Sequence, residues 1–498
     1  MNYKYITLIL LNCIIIGLQT ACKETVINPE LLSVLPEIFP DYTEVTIPAT
    51  IAPLNFLVKT IPASSELHLQ VEGGRGGEME VHTTGIISFS ERKWKQLLSE
   101  NIGDKINLTL SVKSDGIWKQ YIPFSIYISP HPIDYGLVYR LIAPGYEVYS
   151  KMGIYQRNLS NFKQHPVFEN TIVPGSCVNC HSFNQTHPGE MSLHIRGING
   201  ATVIKNNETM KIVDTKTNET ISACVYPYWH PSGRFIAYSI NKTQQVFHSS
   251  KEKLIEVFDL ASDIVVYDLE TNELLSSDLL MTANFETFPS FSPDGKTMYF
   301  CCATEQNLPH DYQEVKYSLF SISFDATTRT FGTKIDTLIL ADDIGKSISF
   351  PKPSYDGKFI MCTLLDYGNF GIWHQEADLY ILNLEDFTMQ GLTESNSIQA
   401  DSYHSWSSNS RWFVFGSRRM DGLYTHPYIA AIDESGQACK PFLLPQKNPN
   451  VYFESLFSYN IPEFICAPVN VDANDIARKM RSSKREKVKY WKNKFTQE

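Results

Sequence analysis

The chain lacks an excess of positive charge, a second long apolar run and a ladder of closely spaced cysteines, and each shortfall removes a class of function. Its 54 acidic residues outnumber 43 Lys and Arg, for a formal net charge of −11. Nucleic acid is therefore not an expected partner, because phosphate backbones are bound by surplus cations. One apolar run, Ile6 to Leu18, is too short to cross a bilayer, and none follows it. The ten cysteines show no disulfide framework, and a chain with 43% hydrophobic and 12% aromatic residues can build a core without one. Cys301, Cys302 and Cys362 lie in apparent strands and read as small buried residues.

The first residues, "MNYKYITLILLNCIIIGLQTACKE", place a lysine, the apolar run and then small residues ahead of Cys22. That order is a secretory signal. Thr20-Ala21 before Cys22, with Leu18 upstream, resembles the lipobox of bacterial lipoproteins. The resemblance implies removal of residues 1–21, lipid on Cys22 and a linker over 22–39. It also implies a place in the bacterial cell envelope, lipid-anchored to the outer membrane on its periplasmic or surface side.

Internal similarity organises the second half. "YPYWHPSGRFIAYSIN", "FPSFSPDGKTMYFCCA", "FPKPSYDGKFIMCTLL" and "YHSWSSNSRWFVFGSR" line up, with Gly233, Gly295 and Gly357 equally spaced and Ser410 in the fourth glycine place. Each copy reads as a strand, a tight turn needing positive φ, and a second strand. A further strand follows each: "SDIVVYDLET", "YSLFSISFDA", "ADLYILNLED" and "PYIAAIDESG". Two hairpins per repeat make a four-stranded antiparallel sheet, and such sheets set radially make a β-propeller. Upstream, "MGIYQRNLSNFK" matches the later strand and "HPGEMSLHIRG" the turn and strand, with Gly189 in the glycine place. "FESLFSYNIPEF" supplies a closing strand. The expected fold is thus all-β, with a six-bladed propeller (five to seven) over residues 135–468.

Residues 40–130 alternate apolar and polar positions between turns, as in "SELHLQVEGG" and "INLTLSVKSDGIWKQYIPFSIYIS". They predict a β-sandwich-like domain, a spacer or a carbohydrate-binding-like module, interrupted by the helix "SERKWKQLLSE". Residues 469–498, rich in Lys and Arg, predict a basic C-terminal helix that is solvated or touches anionic lipid or a partner.

The chemistry-bearing stretch is "PGSCVNCHSF", with Cys177, Cys180 and His181 inside the first recognisable blade. Two thiols at this spacing can add to haem vinyl groups while the adjacent histidine ligates iron. A thioredoxin-like pair needs a βαβ setting, and structural zinc needs further ligands, so neither competes well; a structural disulfide stays possible. Export favours haem c, held covalently by Cys177 and Cys180 with His181 as proximal ligand. Met191 is the candidate distal ligand and His194 the alternative; on a strand they face opposite ways, so only one can reach iron. His187, in a turn, is a third choice. His404 stands where the other copies have Pro227, Pro289 and Pro351, and reads as a channel ligand or a hydrogen-bonded structural histidine, as does His230 beside Trp229.

"FSPDGKTMYF" resembles the repeat of TolB-like and WD40-like bacterial propellers, and the Cys177 to His181 stretch resembles c-type cytochromes. Together they resemble propeller lipoproteins carrying a haem-attachment motif. The resemblance implies an envelope lipoprotein active in electron transfer or redox or gas sensing. Its propeller would then dock a redox partner or another envelope protein. The alternatives are a TolB-like protein-binding scaffold without haem, or a haem-linked periplasmic oxidoreductase.

Overall fold

The structure, a computed structural model, describes residues 26–62, 64–143, 151–197, 199–248, 255–482 and 485–492. The expected signal segment, residues 1–21, and the expected lipid site Cys22 lie outside the described residues. Among the described residues no helix is long and apolar enough to cross a membrane.

The protein is all-β with a propeller-like arrangement in which four blades stand as separate sheets. One runs Gln164–Glu169, Gly153–Asn158, Gly136–Ile142, Ser458–Ile465. The last of these strands comes from near the C-terminus and pairs Val138 with Glu463. A second runs Ser176–Asn184, His187–Gly197, Ala201–Asn206, Thr209–Asp214. The third and fourth begin with Ser347–Pro353 and Asp401–Trp406. Between them lies a nine-stranded sheet, Val225–Trp229 through Thr330–Ile339, in which the strand Ile255–Asp268 meets Phe285–Phe291 only at Ser262 and Phe285.

The repeated turns are one device used four times. Gly233, Gly295, Gly357 and Ser410 have φ of 70°, 74°, 73° and 55°. Each donates its N–H to the carbonyl three residues back: His230, Ser292, Ser354 and Ser407. In the last three the hydroxyl of that serine also accepts from the N–H five residues on (Thr297, Phe359, Trp412), so the turn closes itself with side-chain bonds. Glycine is favoured because a Cβ at positive φ is strained. The copy assigned to Gly189 is placed differently: Gln185 and Thr186 carry the positive φ, at 44° and 70°, in a two-residue hairpin between Asn184 and His187. Two successive left-handed residues match a type I′ turn, which twists with its strands. Gly189 therefore lies inside the following strand.

The N-terminal unit is one seven-stranded sheet with the helix Glu91–Glu100 against it. Two facing sheets were expected, but the other pairings in this unit among the described residues are the short ribbon Ile38–Phe39 with Leu57–Val58 and a single bridge between Phe56 and Ile87. Trp94, Leu97 and Leu98 cover the sheet's apolar face and share one core with Phe413, Phe415 and Ile429 of the Asp401–Trp406 sheet. The amphipathic helix thus does the work a second sheet would do.

The tail also departs from expectation. A helix spans only Ala473–Arg481, capped by the Asp472 side chain and burying Ile476, Ala477 and Met480. Glu486–Lys487 and Lys489–Lys492 are then short strands that pair, parallel, with Thr209–Asp214 and Glu273–Ser276. The lysines at 487, 489 and 492 read as a helical basic face, yet the segment covers two exposed sheet edges, which would otherwise present unpaired backbone groups.

Candidate functional site

Six strands converge on one axial cavity: Ser176–Asn184, Val225–Trp229, Phe285–Phe291, Ser347–Pro353, Asp401–Trp406 and Ser458–Ile465. Each carries a register shift at the same point of its pairing with the next strand. In five of them the shifted residue has positive φ without being glycine: Tyr226 (51°), Phe288 (50°), Phe350 (52°), Tyr403 (55°) and Ile461 (51°). Such a conformation costs about 1–2 kcal/mol per residue. The offset is packing, since the five side chains meet in one apolar cluster on the axis. Ring centroids lie 4.8 Å apart for Tyr226 and Phe288, and 4.2 Å for Phe288 and Phe350.

The sixth strand puts Asn179-Cys180-His181 where the others put, for example, Phe350-Pro351-Lys352 or Ile461-Pro462-Glu463. The cysteine motif is therefore the sixth copy of the repeat's bulge. Asn179 accepts a hydrogen bond from Arg140 at 2.6 Å. Cys180 and His181 line the axial cavity beside Tyr226, Tyr403, His404, Lys352 and Glu463. His181 is 4% exposed, and its Nε2 stands 3.6 Å from Glu463 Oε2. Neither ring nitrogen of His181, nor Glu463 Oε2, nor His404 Nδ1 has a hydrogen-bond partner in the protein. Buried polar atoms are seldom left so, and this layer gathers several of them around one cavity.

The electrostatics follow from burial. Desolvation, helped by the Arg140 charge, holds His181 down to about 3, and His404, which bonds the Met361 carbonyl at 2.9 Å, is likewise held to about 3. Burial pushes Glu463 up and Lys352 down, each partly opposed by the other's charge. Lys352 and Glu463 line both this cavity, of about 40 Å³, and a second of about 30 Å³ on the next layer, so their residual exposure is to the axial channel. These two residues were missed in the sequence, although the signal was there: Lys352 and Glu463 occupy the place that Tyr228, Ser290 and Ser405 hold in the other copies.

The predicted haem ligands are not brought together. The Cys177 thiol turns to Met152, 3.5 Å from its sulfur, whereas Cys180 faces the axis. Met191 is 1% exposed in the core with Val178, Phe183 and Leu193. His194 bonds Thr202 at 3.1 Å and is held down to about 4 by burial and then by Arg196. Neither lines the cavity. A covalently held haem needs both thiols and the imidazole on one surface, and a ligand of its size fills hundreds of Å³. The residues as arranged in this strand do not fit it. His187 lies 3.6 Å from the Cys466 sulfur, away from the axis. His230 is a structural link, bonding the Gly295 carbonyl of the neighbouring turn at 3.0 Å, and Trp229 bonds the Ser182 carbonyl.

A second buried cluster joins Glu256, Asp259, Tyr367, Asn369 and His374. Tyr367 donates to Glu256 at 2.8 Å, Asn369 donates to Asp259 at 2.9 Å, and His374 stands 3.4 Å from Glu256. Its groups bond one another and tie the long strands Phe235–Phe247 and Ile255–Asp268 to the loop at 367–374.

No protein-family model matches this chain, and no curated protein matches it. Among solved structures, prolyl oligopeptidase B from Galerina marginata, bound to a macrocyclization substrate, aligns over 67% of this chain at 8% identity and a TM-score of 0.35. This chain covers 42% of that protein's length. Oligogalacturonate lyase in complex with manganese aligns over 81% of this chain and 99% of its own at 11% identity and a TM-score of 0.30. The periplasmic gluconolactonase of Pseudomonas aeruginosa aligns over 61% and 82%, at 11% identity and 0.27. At these scores none of the three bears on this chain's site, which is defined by its own residues.

Proposed function

We propose that this chain is a binding scaffold: a TolB-like six-bladed propeller lipoprotein of the bacterial envelope, anchored to the outer membrane through Cys22, with its axial polar layer as the binding centre and no covalent haem. The observation that carries this reading is that Asn179-Cys180-His181 stands in the bulge that five other inner strands fill with plug residues, with the two thiols facing apart. Six blades are supported by the single contact dividing the nine-stranded sheet and by the six strands lining one cavity. The partner class is an envelope protein docking on the propeller.

The Cys177, Cys180, His181 spacing favours a second reading, haem c in electron transfer or redox or gas sensing, with His181 proximal and Met191 or His194 distal. It requires the strand Ser176–Asn184 to leave its sheet. Expression alongside the c-type maturation system decides between the two. The scaffold reading expects a colourless protein whose Cys177 and Cys180 thiols both titrate after denaturation. A haem-staining band that survives denaturing electrophoresis, lost in Cys177→Ala with Cys180→Ala, overturns it.

A further inference from the structure

Apart from the axis, the N-terminal unit carries a cluster that neither the propeller nor the cysteine motif uses. His68 and His82 lie directly opposite on the antiparallel strands Leu67–Gly73 and Glu78–Thr83. Directly opposed residues are the closest side-chain neighbours a sheet offers, and here the two imidazole rings stand with centroids 4.2 Å apart. Glu80, two residues before His82, falls on the same face, and its carboxylate is 3.8 Å from His82 Nε2. One donor atom from each of the three lies within 4.8 Å of the others. Tetrahedral zinc with bonds of about 2.0–2.2 Å needs donors roughly 3.4 Å apart, a closure that side-chain rotation supplies.

We propose that His68, Glu80 and His82 form a divalent transition-metal site, with Zn²⁺ as its ion. Two imidazoles and a carboxylate are a donor set for zinc or copper rather than for calcium or magnesium, which prefer oxygen alone. The side chains of Glu80 and His82 keep 58% and 20% of their exposure, so an ion there stays reachable from solvent, with its fourth position open to water or to a donor from another molecule. The strands are already held by their ladder and by the core beneath Leu67, Leu69 and Val71, so the backbone of the site is in place and only its side chains need to rotate.

Titration calorimetry of the purified chain with zinc chloride at pH 7.5 tests this. One saturable site is expected, weakened at least about a hundredfold by His82→Ala and by His68→Gln, the upper end of what losing even an outer-shell partner costs. The affinity also falls on acidification, because zinc binds only the neutral imidazole. Cys466→Ser, which removes the surface thiol near His187, is expected to leave binding unchanged. Circular dichroism and the melting temperature of the histidine variants report folding separately. Absence of saturable binding, binding that survives both histidine changes, or binding lost only in Cys466→Ser overturns the proposal.

Discussion

The strands Ser176–Asn184 and Ser347–Pro353 occupy equivalent places, shift register at equivalent points and place three successive residues at the bulge beside one cavity. One brings Asn179, Cys180 and His181; the other brings Phe350, Pro351 and Lys352. In the second the aromatic residue plugs the axis at the cost of a left-handed backbone, and proline needs no ladder donor where pairing is already broken. In the first Asn179 takes the plug's place and is held by Arg140, while a thiol and an imidazole stand where the proline and the lysine do. The lesson is that spacing along a chain acquires its chemistry from backbone conformation: the same two intervening residues that let two thiols grip one haem from a helical turn send them apart on a bulged strand.

The largest effect that can break this comparison is expected at the charged layer. Lys352→Met should destabilise the fold by about 3–5 kcal/mol, because it removes the buried cation that partly offsets the burial of Glu463. Glu463→Leu added to it should restore most of the loss, as read by urea denaturation. Recovery absent from the double variant would mean that the two charges do not sense each other. Next, Phe350→Ala should cost about 3 kcal/mol for its lost packing, and Cys180→Ala no more than about 1. Equal losses would erase the distinction between plug and motif.

A change of pH sharpens the same contrast. His181 is held at about 3 in the fold against 6.5 when unfolded, so the unfolded chain binds its proton first. Its contribution is intact above about pH 6.5 and is lost as pH falls from there toward 3. His181→Asn should flatten the stability profile by about 1.4 kcal/mol per pH unit within that window. An unchanged slope would show the imidazole to be solvated. The smallest effects are at the turns: Gly357→Ala should cost about 1 kcal/mol for its φ alone. Gly295→Ala should cost more, because a Cβ there would meet His230 Nε2 at 2.2 Å whereas at Gly357 the nearest atom is 4.0 Å away. Matching melting temperatures for the two variants would remove His230 as the link between turns.

Much of the fold was legible because turns with positive φ recruit glycine and because inner strands repeat an aromatic-Pro signature. The equal spacing of Gly233, Gly295 and Gly357 marked equivalent turns, and "YNIPEF" marked the closing strand. Gly189 misled, because a two-residue hairpin can be made by Gln185 and Thr186 without glycine. The helix Glu91–Glu100 was readable from its residues, but strand alternation alone does not tell whether a helix or a second sheet covers the apolar face. The axial site was legible only in part: His404 stood out against three prolines, while Lys352 and Glu463 emerge only when the repeats are compared one place further on. The haem expectation rested on local spacing, and nothing local to five residues reports that they form a bulge.

The pairing of Ser458–Ile465 with Gly136–Ile142 has a consequence for how the molecule comes into being. These partners are more than 300 residues apart in the chain. Until the later strand emerges, the earlier sheet has an open edge facing the axis, and every intermediate is a broken ring with an apolar seam. Contacts so distant in sequence close late and slowly. A chain of this design therefore passes through its most aggregation-prone state just before completion, and holdase chaperones should matter most to truncations ending shortly before Ser458.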